Sequence, residues 1–146
     1  MRGSADRRLA SIQSHLQAPP SAAMAVYRSP VTSHVLDTSR GRPAAGMRVV
    51  LEALDADSGQ WRSVGEGVTN DDGRVAAPLV PPNAPFRAGT YRVVFATREY
   101  FAAIGVTEFF YPSVEIAFVV RRPDEHFHVP LLINPFGYST YRGSLF

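Results

Sequence analysis

Arg48-Val49-Val50-Leu51-Glu52-Ala53-Leu54, Asp55-Ala56-Asp57-Ser58-Gly59 and Gln60-Trp61-Arg62-Ser63-Val64-Gly65 follow one another without a break. The first run is β-branched and aliphatic, with polar and apolar residues partly alternating, and reads as a strand. The second is a turn: Asp and Ser hydrogen-bond their own backbone, and Gly supplies a positive φ. The third returns as the partner of a hairpin. Outward from this hairpin the same grammar repeats. Val31 to Leu36 alternates around a β-branched stretch, and Tyr91-Arg92-Val93-Val94-Phe95-Ala96 is a strand. Val114 to Arg121 is another, and Phe127 to Ile133 with Gly137 to Arg142 makes a last pair around Asn134-Pro135. Asn70-Asp71-Asp72-Gly73 is a second turn. Only Arg98 to Ile104 reads as a short helix, with Gly105 as its stop. Many short strands with Gly/Pro turns predict an all-β sandwich.

Composition bounds the rest. The chain has 146 residues and 45% apolar content, enough for one domain with a core. Ser, Ala, Arg and Pro dominate residues 1–29, whereas 30–146 carry the strands, so the boundary is expected near Ser29-Pro30. No stretch approaches the ~20 apolar residues of a spanning helix. There is no cysteine, which removes disulfides and thiolate chemistry. All 15 basic residues are arginines, which excludes a Schiff-base lysine and a Walker-type loop. The net charge of +2 and the scattered arginines do not point to nucleic acid. No G-x-S-x-G elbow is present.

Three histidines lie in the strand-rich part: His34, His126 and His128. On an extended strand His126 and His128 share a face and Phe127 takes the other. Histidine changes charge nearest neutral pH and suits general-base work on water. Taken singly, each is ordinarily a half-buried strand residue with a hydrogen-bond partner. Together they offer a three-nitrogen zinc set as an alternative, although the usual ligand spacing is missing. Arg74, after the Asn70–Gly73 turn, presents a rigid donor fork for planar carbonyl, amide or carboxylate groups, or is a solvated arginine at a strand start.

Several segments in order resemble one family. His34-Val35-Leu36-Asp37-Thr38 with Gly41-Arg42-Pro43-Ala44 resembles the opening strand of the transthyretin-like family. Thr69-Asn70-Asp71-Asp72-Gly73-Arg74 resembles its T-x-x-D-G-R turn, and Gly89-Thr90-Tyr91 its G-x-Y strand. His126-Phe127-His128-Val129-Pro130-Leu131-Leu132 leads into the tail Tyr138-Ser139-Thr140-Tyr141-Arg142-Gly143-Ser144. That tail resembles the signature of the enzyme branch, 5-hydroxyisourate hydrolase, which the hormone-carrying branch lacks.

The resemblance implies a sandwich of two four-stranded antiparallel sheets with one short helix. It implies a homotetramer with sites between subunits, no metal and no cofactor. The implied activity is hydrolysis of a ring amide of 5-hydroxyisourate, a purine-derived small molecule, to 2-oxo-4-hydroxy-4-carboxy-5-ureidoimidazoline. The alternative is a carrier of a small ligand or hormone without catalysis. By position, His34 and His128 would activate water and shuttle protons, and Arg74 would clamp the substrate. Ser144 and Tyr141 would line the site, Arg142 would pair across a subunit interface, and His126 would lie on the surface or behind the site. Enzyme-branch chains typically stop at the serine, whereas Leu145-Phe146 follow here.

Arg8-Leu9-Ala10-Ser11-Ile12-Gln13-Ser14-His15-Leu16 fits the R-L-x5-H-L peroxisomal signal, an address read by an import receptor through Arg8, Leu9, His15 and Leu16. Peroxisomal location is therefore expected, with cytoplasm as the alternative. A mitochondrial transit peptide is a further rival, given the arginines and scarce acids.

Overall fold

A computed structural model describes residues 27–143. Arg8, Leu9, His15, Leu16 and Ser144, for which the sequence sets expectations, lie outside the described residues, as does Leu145-Phe146.

The strands are β1 (Val31–Asp37), β2 (Arg42–Pro43), β3 (Arg48–Leu54), β4 (Trp61–Val68), β5 (Gly89–Phe95), β6 (Val114–Val120), β7 (Phe127–Asn134) and β8 (Gly137–Thr140). Among the described residues one helix, α1 (Thr97–Ala103), follows β5. Two four-stranded sheets form, ordered β2-β1-β7-β8 and β4-β3-β5-β6. This is the expected sandwich. Among the described residues every strand pairing is antiparallel but one: β1 runs parallel to β7, with Thr32 opposite His128 and His34 opposite Pro130.

Alternation decides what each face does. Along β1, Val31, Ser33, Val35 and Asp37 are buried, while Thr32, His34 and Leu36 stay half-exposed. Along β7, Phe127, Val129, Leu131 and Ile133 go inward and His128 does not. The inward set meets Leu51, Val93 and Phe95 of the other sheet. Fully burying one such side chain stabilises the fold by about 1.5–3 kcal/mol. The outward set puts Thr32, His34 and His128 together on the outer surface of the first sheet.

Helix α1 begins one residue before the expected Arg98. Its end is a Schellman closure: Val106 N–H donates to the Phe101 carbonyl at 2.9 Å, Gly105 N–H to Ala102 at 3.1 Å, and Gly105 takes φ +79°. Tyr100 and Phe101 project into the core. The Tyr100 hydroxyl donates to Asp37 Oδ2 at 2.6 Å, and Asp37 Oδ1 accepts from the Ser39 hydroxyl and from the Ser39 and Arg40 backbones. A wholly buried carboxylate is thereby satisfied.

Packing starts before the expected boundary. Ser29 is buried, and its hydroxyl donates to the Val31 carbonyl at 2.7 Å while accepting from Val80 N–H at 3.1 Å. The Tyr27 hydroxyl bonds the Val80 carbonyl.

Candidate active site

The Asn70–Gly73 turn builds one wall. Asn70 Oδ1 accepts from Asp72 N–H at 2.9 Å and Arg74 N–H at 3.1 Å, and Gly73 takes φ +77°. Glycine is required twice over here, because a Cβ would stand 2.3 Å from the Val35 carbonyl oxygen. The turn thus docks against β1: Val35 N–H donates to the Gly73 carbonyl at 2.8 Å, and His34 and Arg74 form an antiparallel bridge. His34 Nε2 lies 2.8 Å from the Asp72 carbonyl oxygen. A carbonyl only accepts, so Nε2 carries the proton and the lone pair of a neutral His34 sits on Nδ1.

The second wall is the β1–β7 seam. Thr32 Oγ1 lies 2.8 Å from His128 Nδ1 and 2.9 Å from His126 Nε2. Arg28, Thr32, Ser33, Arg74, Val75, His126 and His128 line a cavity of about 320 Å³. It is rimmed by guanidinium and imidazole groups and suits a planar ligand rich in carbonyl oxygens. Burial pushes the His128 imidazole below its usual range, and Arg74, His126, His34 and Arg28 push it the same way. Burial also lowers His126, with help from Arg28 and Arg142. Both rings are therefore held neutral near pH 7, the form that accepts a proton.

The tail forms the third wall. Gly143 N–H donates to the His128 carbonyl at 2.8 Å, and Arg142 Nη2 donates to the His126 carbonyl at 3.1 Å and to Glu125 at 3.2 Å. The Arg142 guanidinium also covers the Phe127 ring at 4.6 Å. Arg142 thus has partners inside its own chain. The reason is geometric: the tail runs back antiparallel beside β7, Gly143 comes to lie beside His128, and the long Arg142 side chain reaches back to residues 125–127. Tyr141 is exposed and lines a neighbouring hollow of about 240 Å³ with Phe118, Thr140 and His128, so His128 belongs to both spaces.

The structure brings His34, Arg74 and His128 to one place and sets Tyr141 on its flank. His126, expected on the surface or behind the site, lines the cavity itself. Thr32 and Arg28 were not anticipated. Alternation along β1 puts Thr32 on the face of His34, but only the parallel register reveals its histidine partners. His34 faces the Asp72 carbonyl while His126 and His128 face Thr32, and among the described residues no group of three His, Cys, Asp or Glu is placed to hold a metal ion.

Comparison with known proteins agrees with the fold and the motifs. Residues 31–143 match the transthyretin family model described as HIUase/Transthyretin family. The chain is 44% identical to the 5-hydroxyisourate hydrolase of Mus musculus over 121 residues, covering 83% of this chain and 100% of that protein. Among solved structures, 5-hydroxyisourate hydrolase from Klebsiella pneumoniae superposes with TM-score 0.64 at 38% identity, covering 78% of this chain and 98% of that one. Transthyretin from Sparus aurata superposes with TM-score 0.71 at 32% identity, covering 80% and 97%. With most of its length matched and its sheets arranged in this way, the chain belongs to the HIUase/Transthyretin family.

Proposed function

We propose that the chain is a cyclic amidase that hydrolyses 5-hydroxyisourate to 2-oxo-4-hydroxy-4-carboxy-5-ureidoimidazoline in urate degradation. The observation that carries this reading is the convergence of His34, Arg74 and His128 on the outer face of one sheet, beside a cavity of about 320 Å³. Its relatives in mouse and Klebsiella pneumoniae bear the name of that hydrolase.

Hydrolysis of a ring amide needs an oriented water, a base for its proton, and donors for the oxyanion. His34 and His128 supply the proton-handling pair. Arg74 holds the carbonyl edge and stabilises developing negative charge. Tyr141 and Ser144 complete the wall from the tail, once a neighbouring subunit closes it in a homotetramer. Neither metal nor cofactor enters this scheme. The likeness to a transthyretin favours a second reading, a small-ligand carrier. The charged cavity lining argues for the hydrolase.

The test is the absorbance decay of freshly generated 5-hydroxyisourate. Wild type accelerates it, and His128→Asn reduces the acceleration by about 100-fold or more. Unchanged decay with the variant overturns the assignment, and no acceleration by wild type leaves the carrier.

The same proposal places the protein in the peroxisome, delivered by the import receptor that reads Arg8, Leu9, His15 and Leu16. Residues 1–29 fused to a fluorescent protein give punctate peroxisomal signal. Diffuse cytosolic signal refutes the address.

A further inference from the structure

A single hydroxyl stands between two imidazoles. Thr32 Oγ1 is 2.8 Å from His128 Nδ1 and 2.9 Å from His126 Nε2. The strand rules explain how it got there. His126 and His128 are two residues apart and share a side. Thr32 is in register with His128 across the β1–β7 pair, so its side chain rises beside both rings.

A threonine hydroxyl has one proton to give and two lone pairs. Two arrangements use both close contacts and the hydroxyl proton. In one, His128 Nδ1–H donates to Thr32 and Thr32 donates to His126 Nε2, which leaves a lone pair on His128 Nε2. In the other, His126 Nε2–H donates to Thr32 and Thr32 donates to His128 Nδ1, which puts a proton on His128 Nε2. The state of one ring fixes the state of the other.

We propose that Thr32 is a positioning residue that makes His128 the base of the reaction and passes the proton it takes on to His126. This deepens the hydrolase reading and rests on it. Water forms its bond to the ring carbonyl carbon while one of its protons moves to His128 Nε2. The Nδ1 proton of His128 goes to Thr32 Oγ1 as the Thr32 proton goes to His126 Nε2. Thr32 ends as it began, and one positive charge has moved from His128 to His126. The reverse path delivers the proton to the departing ring nitrogen as the carbon–nitrogen bond breaks. Water is thereby added across that bond with no other reagent.

The surroundings fit this role. The tail pins both histidines by their carbonyls, His128 through Gly143 and His126 through Arg142. The charged and titratable groups around the pair are Arg28 before β1, His34 on β1, Arg74 on the turn after β4, and Arg142, itself paired with Glu125. Burial and the neighbouring arginines keep both rings neutral near pH 7, so each can accept a proton.

The experiment compares Thr32→Val, Thr32→Ser and His126→Gln with wild type in the full chain. It reads kcat and KM for 5-hydroxyisourate across pH, and the tautomers of the histidines by nitrogen NMR without substrate. Thr32→Val loses about 10- to 100-fold in kcat with KM little changed. Its acid limb moves, and His128 becomes a mixture of tautomers. Thr32→Ser, which keeps the hydroxyl, restores most of the rate and the single tautomer. His126→Gln still accepts the Thr32 hydrogen bond but holds no proton, and loses kcat in the same range as Thr32→Val. Wild-type kcat and pH profile in Thr32→Val overturn the relay. So does a Thr32→Ser variant as slow as Thr32→Val with an unmoved pH profile and tautomer. Wild type that leaves the substrate untouched overturns the hydrolase reading itself, a result distinct from an active wild type with an unimpaired Thr32→Val.

Discussion

Gly143 is laid flat against His128: its N–H donates to the His128 carbonyl at 2.8 Å, and a Cβ on it would stand 2.5 Å from His128 Cδ2. The glycine of the tail is therefore a spacing device for the imidazole. Gly143→Ala must push the ring or the tail aside. Displacing a reacting group by about 1 Å costs about 100-fold in rate. We expect a loss of that order in kcat with a native far-ultraviolet spectrum. A fully active Gly143→Ala would show that the tail does not set the ring.

Gly73 plays the corresponding part for His34 and Arg74. A methyl group there meets the Val35 carbonyl, and φ +77° penalises any side chain. Gly73→Ala is expected to destabilise by about 1–3 kcal/mol and to detach the turn from β1. Hydrogen exchange reads this directly: the Val35 amide, which donates to the Gly73 carbonyl, loses protection.

The His128 imidazole is lowered first by burial and next by Arg74. A positive neighbour disfavours the imidazolium, so Arg74→Gln raises the pKa toward its ordinary value of 6.5. An NMR titration of His128 reads the shift. The depressed group also links pH to stability. It contributes fully above 6.5, where folded and unfolded forms are both neutral, and the contribution is lost as pH falls through the lower folded value. Arg74→Gln thus makes the protein less sensitive to mild acid. A lowered His128 pKa in the variant contradicts the assigned cause.

Tyr100 holds the buried Asp37 carboxylate through a hydrogen bond of 2.6 Å. Tyr100→Phe leaves Oδ2 without that donor, at a cost of about 1.5–3 kcal/mol for a bond to a charged group. Thermal melts should show it, with hydrolysis at low temperature unchanged because the pair lies in the core. Burial, with Asp37 beside it, pushes the Tyr100 phenol up to about 12. Its contribution is present below 10 and is lost as pH rises through about 12. Tyr100→Phe should lack that alkaline limb.

Local signals carried most of the fold. Val31–Asp37 and Phe127–Asn134 alternate because each has one face in the core. Asn70–Gly73 is readable because its side-chain and glycine chemistry acts within four residues. What escaped reading is set by distant partners. Strand β4 runs on to Val68, past the expected stop at Gly65. Gly65 and Gly67 look like breakers, yet they are pressed by a crossing segment: added Cβ atoms would stand 2.1 Å from the Leu79 carbonyl oxygen and 2.6 Å from Val75 Cγ1. The site divides in the same way. His34, Arg74 and His128 carry recognisable motifs. Thr32 and the in-chain partners of Arg142 depend on which strands lie side by side, and no local period records that.

The one parallel seam has a consequence for synthesis on the ribosome. Thr32 and His128 are separated by 96 positions in the chain, and each half of the site is made on a different side of that gap. Strands β3 and β4 can zip as a hairpin, and β5 and β6 can pair across α1, while translation proceeds, but β1 must wait for β7. A nascent chain arrested after β6 therefore owns a sheet, a helix and His34, and no cavity. Hydrolytic competence arrives late and all at once, when β7 and the tail close over the first strand.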